Sequence, residues 1–257
     1  MKNQSNAFSE MVSGERPDNC RTHGDFNSMF VRFGKRESWT TCPGCIDDRV
    51  KAERAIEDAE LKAHRNSSII RIAAIPERFM SRDLANYHAS NDEQRKALAI
   101  AADYARDFDG ALREGRSLIF CGLPGTGKTH LSVGIAKVAM TRGKTAIFSS
   151  AMNAIRTVRE TYRRDSEITE RQAIARFAEP DLMILDEVGS QLGTEAEKVT
   201  LFDIINARYE RMRPMIVISN LGKDGVADYL GERAFDRLRE NGGKAVVFNW
   251  ASYRGQA

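Results

Sequence analysis

The chain has no long hydrophobic run. Nowhere do its 257 residues approach the ~18 consecutive apolar positions that span a bilayer. The polar opening, Met1 to Asp18, holds no apolar signal core. No membrane partner is expected, and a cytoplasmic location is the default. There is also no excess of either charge: 39 Lys and Arg stand against 36 Asp and Glu, a net +3. Any nucleic-acid surface must therefore be a local patch rather than a property of the whole chain. Internal repeats and low-complexity tracts are absent, which excludes repeat architectures. Cysteine is scarce. Three of the four cysteines fall between residues 20 and 45, and the fourth is Cys121. Clustering of this kind in a cytosolic chain argues for metal rather than disulfides.

What is present describes an ordinary globular protein, 42% apolar and 29% charged, long enough for one core plus a small accessory module. Residues 1–18 are polar and read as an unordered tail. Residues 19–48 hold the Cys/His cluster. Residues 49–68 are rich in Ala, Glu, Lys and Arg without a breaker and read as an exposed helical linker. From 69 to 257 strands and helices alternate. Five apolar runs read as buried parallel strands: Ser117–Cys121, Thr145–Ser149, Leu182–Asp186, Met215–Ser219 and Ala245–Phe248. Helices are expected over Glu93–Asp107, His130–Arg142, Ala151–Arg164 with a second near Glu170–Ala178, Glu195–Arg211 and Gly231–Glu240. The pattern predicts a three-layer α/β sandwich.

The run Gly122-Leu123-Pro124-Gly125-Thr126-Gly127-Lys128-Thr129 fits G-x-x-x-x-G-K-[ST], the phosphate-binding loop of P-loop NTPases. It follows an expected strand and opens an expected helix, as the motif requires. Glycines let backbone N–H groups approach phosphates, and the helix N-terminus favours negative charge. Lys128 is placed to reach the β- and γ-phosphates of a nucleotide, and Thr129 to bind Mg²⁺. The strand Leu182–Leu185 then delivers Asp186 and Glu187 at its C-terminal end, where open α/β sheets bind ligands. Asp186 is suited to hold Mg²⁺ and Glu187 to polarise the attacking water. Taken alone, such a pair reads as a solvated strand end. Together with the loop it reads as a catalytic pair.

Asn220 follows the fourth expected strand. It either faces the γ-phosphate, if that strand lies between the two motif strands, or sits in a turn that favours Asn. Arg233 and Arg237 share a helix face. They read either as arginines offered to a neighbour's phosphate or as a surface pair bonded to Glu232 and Asp236.

Cys20-x2-His23 and Cys42-x2-Cys45 supply three sulfurs and one imidazole, a tetrahedral Zn²⁺ set with no open position. A module of about 30 residues is too small to fold on its own core, so such a site would be structural. Phe33 and Trp39 are expected to pack around it. Arg156, Arg159 and Arg163 recur at helical spacing beside Arg164, a basic face able to track a phosphate backbone. The interleaved Glu160, Asp165 and Glu167 keep a solvated mixed-charge face as the alternative. Cys121 and His130 read as packing and loop residues. Trp250 and Tyr253 are expected to close the C-terminal edge of the core.

These residues resemble the DnaC-type helicase loaders of the AAA+ superfamily. The matching segments are Ile75-Pro76-Glu77-Arg78-Phe79, the Gly122–Thr129 loop, Leu185-Asp186-Glu187-Val188-Gly189 and Ile218-Ser219-Asn220-Leu221. They continue with Gly231-Glu232-Arg233, Asp236-Arg237-Leu238 and the ending Phe248-Asn249-Trp250-Ala251-Ser252-Tyr253-Arg254. The resemblance covers residues 69 to 257 and implies the strand order 5-1-4-3-2. It also implies ATP-driven self-association into a spiral or hexamer, on a DnaB-type replicative helicase hexamer and around single-stranded DNA. Arg237 matches the family's arginine finger with Arg233 nearby, Asn220 matches sensor 1, and Arg156, Arg159 and Arg163 fall in the DNA-gripping element. ATP, Mg²⁺ and Zn²⁺ are the expected cofactors, and a bacterial or phage-infected cytoplasm the expected setting. The zinc module stands where the best-known loaders carry a helicase-binding helical domain, and some phage-borne relatives look similar. A transposition helper of the IstB type, and a nucleotide-binding zinc adaptor without turnover, are the competing readings.

Overall fold

The computed structural model describes residues 12–33, 36–56, 74–190 and 193–253. The chain divides into two compact units, Met1–Arg65 and Asn66–Ala257.

In the first unit, strands β1 (Val12–Cys20), β2 (Gly24–Phe33) and β3 (Arg36–Trp39) form an antiparallel sheet in sequence order. Sequence pattern did not anticipate this sheet, and residues 12–18, expected in the tail, belong to β1. Backbone pairing holds them, from Gly14 opposite Phe30 to Cys20 opposite Gly24. Pro17 is tolerated because β1 is an edge strand. Residues 1–11 lie outside the described residues. A helix, α1, spans residues 43–56. It begins inside the expected zinc module, so the module and the linker share one helix. The rest of the expected linker, 57–68, lies outside the described residues. Trp39 packs edge-on to Phe30 at 5.2 Å and beneath the Arg16 guanidinium at 4.4 Å, on the sheet. The side chain of Phe33 lies outside the described residues.

The second unit is a three-layer sandwich. Its strands are β4 (Leu118–Gly122), β5 (Ala146–Ser150), β6 (Leu182–Val188), β7 (Met215–Ser219) and β8 (Lys244–Phe248). All are parallel, in the order β5-β6-β7-β4-β8. Numbered within this sheet, that is the expected 5-1-4-3-2. The continuous apolar runs follow from burial on both faces. Leu118, Phe120, Ile184, Ile216 and Phe248 point to one core, and Ile119, Cys121, Met183, Leu185 and Val217 to the other.

The first face is covered by α2 (Asp92–Arg106), α3 (Phe108–Glu114) and α4 (Lys128–Thr141). A capping box between Asn91 and Gln94 starts α2, and Ala97, Ala101, Tyr104 and Ala105 form its buried stripe. The second face is covered by α5 (Ala151–Glu160), α6 (Glu170–Ala178), α7 (Glu195–Glu210), α8 (Lys223–Leu230) and α9 (Glu232–Arg239). The helix expected over Ala151–Arg164 stops at Glu160. Its buried stripe, Ala151, Ala154, Ile155 and Val158, ends there, and Tyr162 is 63% exposed. Turn bonds from Thr161 N–H to Val158 O and from Tyr162 N–H to Arg159 O close the chain off. Arg163 therefore lies beyond the helix, bonded to Asp165, rather than on a helical face with Arg156 and Arg159. Among the described residues no helix is long and apolar enough to cross a membrane.

Candidate nucleotide site and metal cluster

Strand β4 ends at Gly122, whose φ of 117° suits glycine alone. A Cβ there would lie 2.4 Å from Phe248 O, so the loop can leave the sheet beside β8 only without a side chain. The loop is pinned at its entry, with Gly122 N–H donating to Leu221 O at 2.8 Å and Leu123 N–H to Phe248 O at 2.9 Å. Its crown is held at the buried Thr126. The Thr126 carbonyl accepts from Trp250 Nε1 at 3.0 Å and from Tyr87 Oη at 3.2 Å, and Tyr253 N–H donates to Gly125 O at 3.0 Å. Trp250 thus closes the core, as expected, and also reaches into the loop. Burial pushes the Tyr87 phenol up to about 12.

The loop opens onto a cleft of about 700 Å³. Pro124, Gly125, Thr126, Gly127, Lys128 and Thr129 line it together with Asp186, Glu187 and Asn220. Strand β7 pairs with both β4 and β6, which is the condition under which Asn220 faces the loop. Lys128 is buried, with Nζ donating to Gly122 O at 2.8 Å and Leu123 O at 2.7 Å. Thr129 Oγ1 donates to Asp186 Oδ2 at 3.0 Å. Octahedral Mg²⁺ with bonds of about 2.1 Å would set adjacent ligand oxygens about 3.0 Å apart, so this pair fits two neighbouring ligands. Burial raises the Asp186 carboxyl above the usual aspartate range, against the opposing pull of Thr129.

Glu187 sits at a register shift in β6 and has a φ of 62°, a left-handed conformation costly for a non-glycine residue. Its N–H bonds to Asp186 Oδ1 at 2.7 Å. The shift sends consecutive carboxylates into one cleft, where a regular strand would send them to opposite faces.

One wall of the cleft was not legible in the sequence. Pro76, Arg78, Phe79, Arg82, Asn86, Tyr87 and His88 form it, and α4 holds it in place. His130 Nε2 bonds Asp83 O at 2.9 Å and Asn86 Oδ1 at 2.8 Å, and Lys137 pairs with Asp83 at 3.1 Å. Burial lowers the His130 pKa. His130 is thus a tether for this wall rather than a loop residue. Pro76, Arg78 and Phe79 fall in the Ile75–Phe79 segment, which the sequence marked only as part of the family resemblance. Cys121 packs in the core, its thiol pushed up by burial.

Arg233 and Arg237 lie outside this cleft. Arg233 is exposed on α9. Arg237 is half-buried, with its guanidinium 5.1 Å from the ring centres of both Phe202 and Tyr209 on α7. Arg156 and Arg159 are exposed on α5.

In the first unit, the β1–β2 hairpin turn carries Cys20 and His23, and the start of α1 carries Cys45 just after Cys42. The four ligand atoms all lie within 4.8 Å of one another. Cys20 Sγ is 3.4 Å from Cys45 Sγ and 3.8 Å from His23 Nδ1, and Cys45 Sγ is 3.5 Å from that nitrogen. Tetrahedral zinc with Zn–S bonds of about 2.3 Å separates its sulfurs by about 3.8 Å, so the donor set and its spacing fit. A backbone hydrogen bond at Thr22, ahead of one with His23, lowers Cys20 to about 6, while bonding to Cys20 raises Cys45 to about 11. Sequence pattern did not single out Asp48, whose Oδ2 lies 3.0 Å from His23 Nε2.

A family model described as IstB-like ATP binding protein matches residues 45–254. The chain is 34% identical over 169 residues to the replicative helicase loader DnaC of Escherichia coli strain K12, covering 66% of this chain and 67% of that protein. It is 31% identical over 193 residues to the replicative helicase loader DnaC of Buchnera aphidicola subsp. Baizongia pistaciae, covering 75% and 77%. Among solved structures, that of a DnaC helicase loader superposes with a TM-score of 0.59 at 22% identity, over 67% of this chain and 99% of that one. AMPPCP-bound DnaA from Aquifex aeolicus gives a TM-score of 0.55 at 23% identity, over 68% and 51%. At those identities the likeness speaks for the fold.

Proposed function

We propose that this chain, which belongs to the IstB-like family of ATP-binding proteins, is an ATP-dependent loader of a replicative helicase hexamer onto single-stranded DNA. One observation carries the reading. The phosphate loop, the Asp186–Glu187 pair and Asn220 converge on one cleft, in a chain about one-third identical to named helicase loaders.

In this reading Lys128 leaves the Gly122 and Leu123 carbonyls for the β- and γ-phosphates of ATP. Loop N–H groups and the α4 N-terminus take up the remaining phosphate charge. Mg²⁺ between Thr129 and Asp186 would neutralise charge on the phosphate oxygens. Glu187 accepts a proton from the attacking water, and Asn220 orients that water. Arg237, and Arg233 one turn before it, act on the cleft of a neighbouring copy, which accords with their place outside their own. Such an arginine makes turnover depend on self-association. ATP would then assemble the loader on the helicase, and hydrolysis would release it. Arg156 and Arg159 on α5, with Arg163 after it, would contact the DNA backbone. Cys20, His23, Cys42 and Cys45 would hold a structural zinc.

The test uses covalently closed circular single-stranded DNA, which a closed helicase ring cannot thread. With ATP and this chain, helicase should become bound to the circles and remain after a salt wash. Helicase retention equal with and without the chain would refute loading. A transposition helper, which shares this core, would stimulate a transposase and leave helicase retention unchanged.

A further inference from the structure

We infer that Asp48 is a positioning residue of a zinc site at Cys20, His23, Cys42 and Cys45, and that it selects the imidazole nitrogen that binds the metal. The inference rests on the zinc reading. Three of the four ligands, Cys20, His23 and Cys42, precede the family match, which begins at residue 45.

The two nitrogens of His23 have different surroundings. Nδ1 faces the sulfurs, 3.8 Å from Cys20 and 3.5 Å from Cys45. Nε2 faces the Asp48 carboxylate at 3.0 Å. A neutral imidazole carries one proton, and an ionised carboxylate only accepts hydrogen bonds. Asp48 therefore holds that proton on Nε2 and leaves the Nδ1 lone pair for the metal. A carboxylate bonded to the outer nitrogen also makes the inner one a better donor.

A second contact fixes the plane of the ring. A Cβ on Gly44 would lie 2.6 Å from both Cγ and Cδ2 of His23. The imidazole thus lies directly against the backbone at the start of α1, where any other residue would push it away. Gly44 is there to clear the ring, not to shape a turn. One short stretch of α1 then does three things. Cys45 gives a ligand, Gly44 gives the floor under the imidazole, and Asp48, one turn on from Cys45, gives the acceptor that orients it. The neighbouring Asp47 takes no part, since its carboxylate pairs with Lys51 at 2.9 Å.

The experiment measures zinc affinity of the full chain by chelator competition, for wild type, Asp48→Ala, Asp48→Glu and Asp47→Ala. It is paired with ¹⁵N NMR of the His23 ring in the zinc-loaded protein. Asp48→Ala should weaken zinc by about 10- to 100-fold. Asp48→Glu should recover part of that loss, and Asp47→Ala should bind as wild type does. The NMR should show Nδ1 bound to metal and Nε2 protonated in wild type, with that pattern lost or mixed in Asp48→Ala. A wild type that binds no zinc overturns the zinc reading itself. Tight zinc in wild type, with equal affinity and the same ring pattern in Asp48→Ala, overturns the role of Asp48 alone. A matching loss in Asp47→Ala would also overturn it, because the effect would then be one of general negative charge.

Discussion

The crown of the phosphate loop hangs from two donors that come from opposite ends of the ATP-binding unit, and a double-mutant cycle should expose them. The Thr126 carbonyl, in a residue only 3% exposed, accepts from Tyr87 Oη and Trp250 Nε1. Tyr87→Phe removes one hydrogen bond and little else, which costs about 1 kcal/mol. Trp250→Phe removes the other and keeps a ring against Phe248, 4.9 Å away. Lost buried surface adds about 1 kcal/mol to that variant. In either single variant the carbonyl keeps one donor. In the double variant it keeps neither, and an unpaired buried carbonyl costs about 1–3 kcal/mol. The double variant should therefore exceed the sum of the singles by about 1 kcal/mol. Urea unfolding of the four proteins measures this, and the packing loss cancels in the cycle. MgATP affinity should fall in the same order, because the same carbonyl sets the loop's shape. Additivity within about 0.5 kcal/mol would refute the argument that the two donors share one indispensable acceptor.

Three further outcomes are expected. Glu187→Gln should keep MgATP affinity while turnover drops about 10²- to 10⁴-fold, leaving assembled complexes that persist; turnover at the wild-type rate would remove Glu187 from the base role. Arg237→Ala should keep ATP affinity and lose turnover, as Lys128→Ala should lose both, yet mixing the two should restore some activity. Lack of rescue at every ratio would argue against action between subunits. The third outcome concerns pH. Asp186 binds Mg²⁺ only when ionised, and burial holds its pKa above the ordinary aspartate range. Mg²⁺-dependent nucleotide affinity should be lost as pH falls through that raised pKa, at a higher pH than an exposed carboxylate would allow. Calorimetry of wild type against Asp186→Asn isolates the effect, and parallel pH profiles for the two would contradict it.

Where burial dictates sequence, the sequence could be read. Leu182–Leu185 and Met215–Ile218 are apolar throughout because the parallel sheet is covered on both faces, so all five strands were recognisable to within a residue or two at each end. The β1–β3 sheet gave no such signal. Of its described side chains only Ser28 is fully buried, so no apolar alternation marks it, and backbone pairing holds it together. The helix expected over Ala151–Arg164 outruns α5 because charge spacing continues past Glu160 after the buried stripe has ended. The loop motif and the Asp186–Glu187 pair were legible because phosphate and metal chemistry fixes residue type and spacing. Tyr87, His130 and the aromatic contacts of Arg237 were not. Tyr87 meets Thr126 across 39 positions, and Phe202 and Tyr209 reach Arg237 only through the packing of α7 on α9. Contacts made by tertiary packing leave no local period in a sequence.

ATP should drive this chain onto a replicative helicase. The most direct measurement is size-exclusion chromatography with light scattering of the chain mixed with that helicase, in ATP and in ADP. A complex of defined mass and stoichiometry in ATP, weakened in ADP, is the predicted result. Separate elution of the two proteins in both nucleotides would contradict the account.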